Sequence, residues 1–265
     1  MQILIAVTAL GAIGLALGLL LAGASKYLAV PRDARVPSIT EALPGANCGG
    51  CGFAGCGALA SAIAEGKAAV TACPVGGERV SAKIAEIMGV EASPAQRTAA
   101  LVLCSGVDGA AKKKYQYEGA ADCAAVSRLA GGDKSCRYGC LGYGDCVRAC
   151  QFGAIRVTDG VARVDREKCT ACGMCAAACP KGVIRLIPAD KSYSVSCSSR
   201  DKGSAMKNLC GAGCIACRLC ERACPAGAVT VTDNIAEIDY AKCTDCGECF
   251  RKCPRKIIRK SAESE

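Results

Sequence analysis

The stretch C-T-A-C-G-M-C-A-A-A-C-P, residues 169–180, sets four cysteines at intervals of three, three and four residues and ends in proline. Residues 214–225 (C-I-A-C-R-L-C-E-R-A-C-P) and 243–254 (C-T-D-C-G-E-C-F-R-K-C-P) repeat this spacing. The whole chain of 265 residues has 24 cysteines and no histidine. Thiolates are soft ligands that suit iron–sulfur clusters, zinc and Cu(I). The sequence therefore predicts a protein built around thiolate-bound metal.

The repeated spacing favours cubane iron–sulfur clusters over the other uses of dense cysteine. In C-x2-C-x2-C-x3-C-P, three thiolates hold one 4Fe–4S cluster and the fourth reaches a neighbouring cluster. Structural zinc sites use cysteine pairs separated by a long spacer, and disulfide frameworks are typical of small secreted domains. Neither alternative predicts equal three-plus-one runs that end in proline. Zinc and disulfides remain alternatives that metal analysis tests.

Residues 3–23 carry no charged side chain, and about 20 apolar residues cross a bilayer core. A cleaved secretory signal is the alternative, because residues 22–24 resemble a cleavage site, but such a signal has a basic start and a shorter apolar core. Lys26, Arg32 and Arg35 follow the apolar run. The positive-inside rule then places the N-terminus outside and the rest of the chain in the cytoplasm. We expect a single-pass protein of the cytoplasmic membrane.

The expected fold class is α+β, in five segments. A single N-terminal transmembrane helix (residues 1–25) and a linker (26–46) precede a small four-cysteine iron–sulfur domain (47–95). Two ferredoxin-like two-cluster modules follow (96–190 and 191–265).

The small domain has its own cysteine motif, whose members are Cys48, Cys51, Cys56 and Cys73. Glycines between the first cysteines make the backbone permissive enough to wrap closely around a cluster. Apolar residues at helical spacing predict helices over about 54–66 and 78–90. We expect one 4Fe–4S cluster here.

The remaining chain looks like an internal duplication. The run from Val102 to Cys104 resembles the run from Val195 to Cys197, and each precedes a pair of cluster motifs. Short strands are predicted over 154–157 and 161–164 in the first half. The second half repeats them over 228–231 and 235–238. This is the strand and cluster-loop order of a two-cluster ferredoxin, present twice.

Exchange of the fourth ligand between paired motifs gives four ligand sets. The sets are Cys136, Cys140, Cys146 with Cys179; Cys169, Cys172, Cys175 with Cys150; Cys214, Cys217, Cys220 with Cys253; and Cys243, Cys246, Cys249 with Cys224. Together with the small domain they account for five clusters.

Four cysteines remain, namely Cys104, Cys123, Cys197 and Cys210. Because the duplication places Cys104 opposite Cys197, we expect them to bind a sixth 4Fe–4S cluster that bridges the two halves. Two alternatives stay open. These four are ordinary buried thiols, or Cys123 and Cys136 exchange roles, since the motif that begins at Cys136 is irregular.

Charge and missing motifs exclude several functions. The formal net charge of +9 counts cysteines as neutral, and six clusters at about −2 each make the total slightly negative. With few aromatic residues for base stacking, nucleic acid is not an expected partner. No nucleotide-binding glycine motif is evident. Six basic residues surround the last motif, and this surface could steer an acidic ferredoxin or could simply be solvated. They are Arg251, Lys252, Arg255, Lys256, Arg259 and Lys260.

Five features together resemble the B subunit family of Rnf complexes, the membrane-bound ferredoxin:NAD oxidoreductases. They are the N-terminal apolar span, the four-cysteine domain beginning N-C48-G-G-C51, the segment K114-Y-x-Y-E-G-x2-D122-C123, the motif G139-C140-L-G-x-G-x-C146, and the turn C197-S-S-R-D-K-G203. The resemblance implies that reduced ferredoxin donates electrons, that the clusters pass them to membrane subunits, and that flavin and NAD chemistry coupled to Na⁺ or H⁺ movement occurs in partners. The chain alone then transfers electrons within a translocase.

Two other functions stay open. One is the electron-transfer polyferredoxin of a different membrane enzyme, such as a hydrogenase. The other is a non-redox structural metal-binding protein.

We expect electrons to enter at the C-terminal pairs and to leave from the four-cysteine domain, because its cysteines lie soon after the apolar span.

Overall fold

A computed structural model of the chain describes residues 2–27, 33–91 and 96–260. Arg32, used above in the topology argument, lies outside these residues. So do residues 92–95, at the expected border between the small domain and the first module.

The N-terminal segment forms one helix, α1 (Gln2–Tyr27). Large apolar side chains along it are exposed, among them Leu10, Leu15 and Leu20, and a Cβ built on Gly14 or Gly18 would meet no atom within 4 Å. Over the residues that the structure describes, no helix is both long and apolar enough to cross a membrane. The expected transmembrane helix is therefore not confirmed.

The N-terminal domain consists of three packed helices, α2 (Arg35–Ala42), α3 (Cys56–Ala64) and α4 (Gly77–Met88). Their core is formed by Ile39, Leu59, Ile63, Val80 and Ile84, all buried. The last two helices lie where apolar spacing predicts them. Helix α2 lies inside the expected linker, and Ile39 connects it to the core of the domain.

Each module is built from an outer strand pair and an inner hairpin. In the first module, β1 (Thr98–Val102) pairs antiparallel with β4 (Ile184–Pro188), and β2 (Ile155–Thr158) with β3 (Val161–Val164). The first and last strands of the module thus meet, and the hairpin lies between them in sequence.

The second module repeats this topology. Strand β5 (Tyr193–Val195) pairs with β8 (Ile258–Lys260), and β6 (Val229–Thr232) with β7 (Ile235–Ile238). Both hairpins lie within a residue of their predicted positions. The shared topology agrees with the expected duplication, and the fold is mixed α and β with iron–sulfur domains.

Short helices hold the cysteine loops between the strands. Four of them contain the third cysteine of a motif near their start: α6 (Asp145–Arg148), α7 (Met174–Ala177), α9 (Leu219–Arg222) and α10 (Glu248–Lys252). The residue before each is left-handed, and at three of the four it is glycine, the residue that adopts this conformation most readily. Helices α5 (Cys123–Arg128) and α8 (Gly203–Leu209) carry the remaining loops.

Candidate iron–sulfur sites

The structure gathers the cysteines into six groups, which we name sites A to F along the molecule. Site A is Cys51, Cys56 and Cys73, to which we assign Cys48 from the sequence motif. Sites B to E are Cys150, Cys169, Cys172 and Cys175 (B); Cys123, Cys140, Cys146 and Cys179 (C); Cys104, Cys136, Cys197 and Cys210 (D); and Cys214, Cys217, Cys220 and Cys253 (E). Site F is Cys224, Cys243, Cys246 and Cys249. Sites B, C, D and E each surround a small cavity lined by all four cysteines.

Site C differs from the principal grouping predicted from the sequence, because it contains Cys123 where Cys136 was expected. The cause is Asp145, the residue before Cys146. Its carboxylate accepts hydrogen bonds from the backbone N–H groups of Cys123 (2.9 Å) and Ala124 (3.1 Å). These bonds fix the start of α5 beside α6 and place Cys123 at site C. The structure thus favours the exchange of Cys123 and Cys136, which the irregular spacing left open.

Site D is assembled from both modules, two cysteines from each. Ser198 Oγ donates to the carbonyl of Tyr138 (2.9 Å), which joins the loop of Cys197 to that of Cys136. The backbone N–H of Gly211 donates to the carbonyl of Ala110 (2.7 Å). Site D therefore forms only where the two modules meet.

Sites E and F have the predicted composition and share one apolar core. Sites B and C share the core of the first module in the same way. At sites B, E and F the fourth cysteine of one motif lies with the first three of the other, as the spacing predicts. At site C, Cys179 lies with only Cys140 and Cys146 of its partner motif.

Site A is held by the N-terminal domain. Asn47 Oδ1 accepts a hydrogen bond from the backbone N–H of Cys56 (2.8 Å), which closes the loop over the start of α3. Cys51, Cys56 and Cys73 lie at one edge of the helical core. Cys48 begins the same loop and is half-buried.

Backbone donors point at several of the thiol sulfurs, as expected for groups that carry negative charge. N–H groups lie 3.3 Å from Cys169 Sγ and Cys224 Sγ, and 3.4 Å from Cys104 Sγ, Cys197 Sγ and Cys243 Sγ. Donors in these positions can hydrogen-bond to sulfurs that carry the negative charge of a bound cluster.

Burial of the cysteine side chains disfavours the charged thiolate form. It raises the pKa of Cys146 and of Cys197 to about 12, and the pKa of Cys140, Cys175, Cys220 and Cys249 to about 11. Without metal these groups are neutral thiols at pH 7, and a coordinated metal ion deprotonates them.

Within residues 2–27, 33–91 and 96–260, no three cysteine or carboxylate groups lie together closely enough to hold a single metal ion. The cysteines instead surround cavities with largely apolar walls, four thiols to each. Four soft sulfur donors around a shared space, with backbone N–H groups directed at them, fit a 4Fe–4S cluster.

Each site lies next to another along one series. Gly50 of site A's loop lies against Cys172 of site B. Burial raises the pKa of Cys146 at site C, and Cys175 of site B adds to that rise. The backbone N–H of Cys214, at site E, donates to Cys197 Sγ, at site D (3.4 Å).

Sites C and D adjoin one another as well, since a Cβ built on Gly139 would lie 3.6 Å from Cys104 Sγ and Cys104 also raises the pKa of Cys140. With sites E and F in one core, the order is A–B–C–D–E–F.

Sequence reasoning missed two residues that shape these sites. Asp145 has no counterpart at the same position of the other motifs, where Met174, Leu219 and Glu248 stand, so no repeat signal identifies it. Arg255 was expected on a basic surface, but it turns inward and donates to the carbonyls of Cys210 (2.7 Å) and Gly213 (3.3 Å).

Comparison with protein families agrees with this geometry. Residues 43–75, around site A, match the FeS family of Fe-S cluster domains. Residues 162–185 match the 4Fe-4S binding domain family, and residues 213–258 match the 4Fe-4S dicluster domain family.

Relatives extend the match over nearly the whole chain. The B subunit of the Na(+)-translocating ferredoxin:NAD(+) oxidoreductase complex of Acetobacterium woodii is 48% identical over 98% of this chain and 79% of its own length. The B subunit of the ion-translocating oxidoreductase complex of Methanosarcina acetivorans is 43% identical over 95% of this chain and 96% of its own. The chain belongs to the family of Rnf complex B subunits. This confirms the family identified from the sequence motifs and the electron-transfer role within an ion-translocating oxidoreductase.

Another relative in this family carries a different coupling ion in its name. The B subunit of the proton-translocating ferredoxin:NAD(+) oxidoreductase complex of Clostridium ljungdahlii is 41% identical over 93% of this chain and 88% of its own length. Membership in the family therefore does not determine whether Na⁺ or H⁺ is moved.

Proposed function

We propose that the chain accepts electrons from reduced soluble ferredoxin at site F and passes them through sites E, D, C and B to site A, where they leave for other subunits of a membrane-bound ferredoxin:NAD oxidoreductase. The observation that carries this proposal is the continuous order of six cysteine sites. A 4Fe–4S cluster bound at each site would supply a one-electron carrier. The polypeptide fixes the spacing, burial and access of the carriers.

Entry at site F is supported by exposure and charge. Of the 24 cysteines, all within the described ranges, only Cys246 is exposed. Lys252, Lys256 and Lys260 are exposed on the adjoining end of the second module. Arg251 differs from them, because it forms an ion pair with Glu248. Soluble ferredoxins are usually acidic, so three exposed lysines beside an exposed ligand form a complementary docking surface.

Exit at site A is supported by its position at the other end of the series, soon after α1. Leu10, Leu15 and Leu20 on that helix are about 70% exposed and are available to partners. We place α1 among the membrane subunits of the complex, with the N-terminus outside and the iron–sulfur domains in the cytoplasm. Flavin and NAD chemistry then belongs to partner subunits, which agrees with the missing nucleotide motif.

Charge reversal in the purified complex tests the direction of transfer. The triple variant Lys252→Glu, Lys256→Glu, Lys260→Glu is expected to raise KM for ferredoxin at least tenfold at low salt, where steering is strongest. Its turnover with a small artificial reductant is expected to stay unchanged. The matched control is Lys83→Glu, an exposed lysine on α4. If Lys83→Glu raises KM and the triple variant does not, electrons enter at site A instead.

A further inference from the structure

Lys134 is the most deeply buried cation among the described residues, with 2% of its surface exposed. Its Nζ donates to the carbonyls of Gly160 (2.7 Å) and Gly106 (3.0 Å). An ammonium group has three donors, so one remains. In the described part of the chain, no carboxylate forms an ion pair with it. A buried cation without a counter-charge is costly, which points to an anion that balances it.

The location of Lys134 indicates that the balancing anion is bound at site D. Lys134 lines the cavity of site D together with the site's four cysteines. Gly106, one of its two carbonyl acceptors, follows Cys104 of site D by two residues, and a Cβ built on Gly106 would lie 3.4 Å from Cys210 Sγ. Gly160, the other acceptor, lies against Gly142, which follows Cys140 of site C by two residues. Lys134 therefore lies between sites C and D.

Arg255 is the corresponding cation on the other side of site D. It lines the cavity of site E, and its guanidinium donates to the carbonyl of Cys210. Site D is thus flanked by a cation toward site C and another toward site E.

The position in the first module that is equivalent to Arg255 also carries a positive charge. Lys181 follows Cys179-Pro180 as Arg255 follows Cys253-Pro254. Lys181 Nζ donates to the carbonyl of Gly131 (2.9 Å), and Lys181 lines the cavity of site C. The nearby buried carboxylate, Asp133, accepts the hydroxyl hydrogen bond of Tyr143 (3.1 Å) and does not pair with Lys134.

We propose that Lys134 and Arg255 raise the reduction potential of the cluster at site D, so that an electron crossing between the modules is retained there. The proposal rests on the proposed function, since it requires a redox cluster at that site. Reduction adds one negative charge to the cluster. A buried positive charge favours the reduced form, because the low dielectric of the interior screens the attraction weakly.

The test is a redox titration of the anaerobically purified full-length chain, followed by EPR. The signal of site D is identified as the one lost in Cys197→Ala. In Lys134→Met and in Arg255→Gln, we expect the ratio of reduced to oxidised cluster at the wild-type midpoint to fall at least tenfold, which is a shift of about −59 mV for one electron. The charge-preserving variants Lys134→Arg and Arg255→Lys are expected to move the midpoint much less. Lys113→Met, which alters an exposed lysine paired with Asp108, is expected to change nothing.

An alternative role is purely structural, since both cations also tie loops together. That role predicts loss of iron from site D with no difference between charge-preserving and neutral variants. Full iron content with an unchanged site D midpoint in Lys134→Met and Arg255→Gln would overturn the proposal. Iron loss from site D in both neutral and both charge-preserving variants would overturn it too. If the wild-type chain contains no acid-labile sulfide, the proposed function fails instead.

Discussion

Gly50 of the N-terminal domain lies directly against the backbone of Cys172 at site B. A Cβ built on Gly50 would lie 3.0 Å from the Cα and the carbonyl carbon of Cys172, and nearer still to its carbonyl oxygen. Only glycine permits so close an approach of two backbones. The contact joins the loops of sites A and B. The connection between the first module and site A therefore depends on the absence of a side chain at Gly50.

Replacing Gly50 with valine is expected to separate sites A and B. A side chain forced against rigid backbone costs about 1–3 kcal/mol, which would lower the equilibrium constant for docking of the N-terminal domain by about 5- to 150-fold. Iron content, measured by iron analysis, is expected to stay at the wild-type value. Electron transfer from site B to site A is expected to slow, which rapid-mixing reduction followed by freeze-quench EPR measures.

The matched control for this prediction is Gly57→Ala on α3, because a Cβ at Gly57 would meet no atom within 4 Å. This variant is expected to behave as wild type. Normal transfer into site A in Gly50→Val would show that the contact with Cys172 is not on the path.

Paired cysteine substitutions distinguish the two groupings of Cys123 and Cys136. If Cys123 and Cys140 belong to one site, Cys123→Ala with Cys140→Ala removes a single cluster, or about four irons. Cys136→Ala with Cys140→Ala then removes two clusters, or about eight irons. Iron and sulfide analysis of the two double variants gives the answer. The reverse result, with the larger loss in the first variant, would restore the grouping predicted from motif spacing.

Asp145 is expected to be necessary for site C although it is not a ligand. Asp145→Ala leaves the part-buried N–H groups of Cys123 and Ala124 without their acceptor; a fully buried unpaired group costs about 1–3 kcal/mol, which is the upper bound for each. We expect site C to lose iron first when the variant is titrated with a chelator. Asp145→Asn keeps one acceptor oxygen and is expected to be intermediate. Equal chelator resistance in Asp145→Ala and wild type would refute this role.

Removal of iron is expected to unfold the two modules before the N-terminal domain. Candidate-site cysteines are four of the twelve described buried residues in the core of the first module and three of the ten in that of the second, against one of nine in the N-terminal domain. Metal binding to those cysteines supplies folding free energy. The N-terminal domain retains an aliphatic core of its own. Circular dichroism of the cluster-free chain should show loss of strand signal with helix retained. Retention of both would show that the modules fold without clusters.

Residual stability of the cluster-free chain is expected to fall at high pH. Burial raises the pKa of Cys73 in the N-terminal domain, the part expected to stay folded without iron, whereas an exposed thiol has a pKa of about 8.5. A raised folded-state pKa gives stability that is complete below the unfolded value and is lost as pH rises toward the folded one. The urea midpoint of this domain should therefore decline as pH rises above about 8.5. A midpoint that rises with pH over this range would contradict the burial of this thiol.

Local patterns in the sequence predict most of the fold. Cysteine spacing identifies the loops of sites B, E and F, and the short β segments expected between the motifs locate both hairpins. Helices α3 and α4 follow from apolar spacing. Helix α2 was not predicted, because Pro37 lies in its first turn and the segment reads as a proline-rich linker. Proline is tolerated there, since the first N–H groups of a helix have no partner within it.

Contacts between distant segments that belong to no repeated motif could not be predicted. Cys123 joins site C through a hydrogen bond to Asp145, 22 residues away, and spacing carries no trace of that bond. Lys134 stands between Asp133 and Ser135 in a polar run that is typical of a surface loop, yet it is buried between two sites. Gly50 is one of several glycines in its loop, and only the packed structure shows that it faces Cys172.

The central claim is that six sets of four thiolates hold six cubane clusters in one chain. The most direct test is iron and acid-labile sulfide analysis of the anaerobically purified full-length protein. The account predicts about 24 irons and about 24 sulfides per chain. Stoichiometric zinc, or iron without acid-labile sulfide, would contradict it.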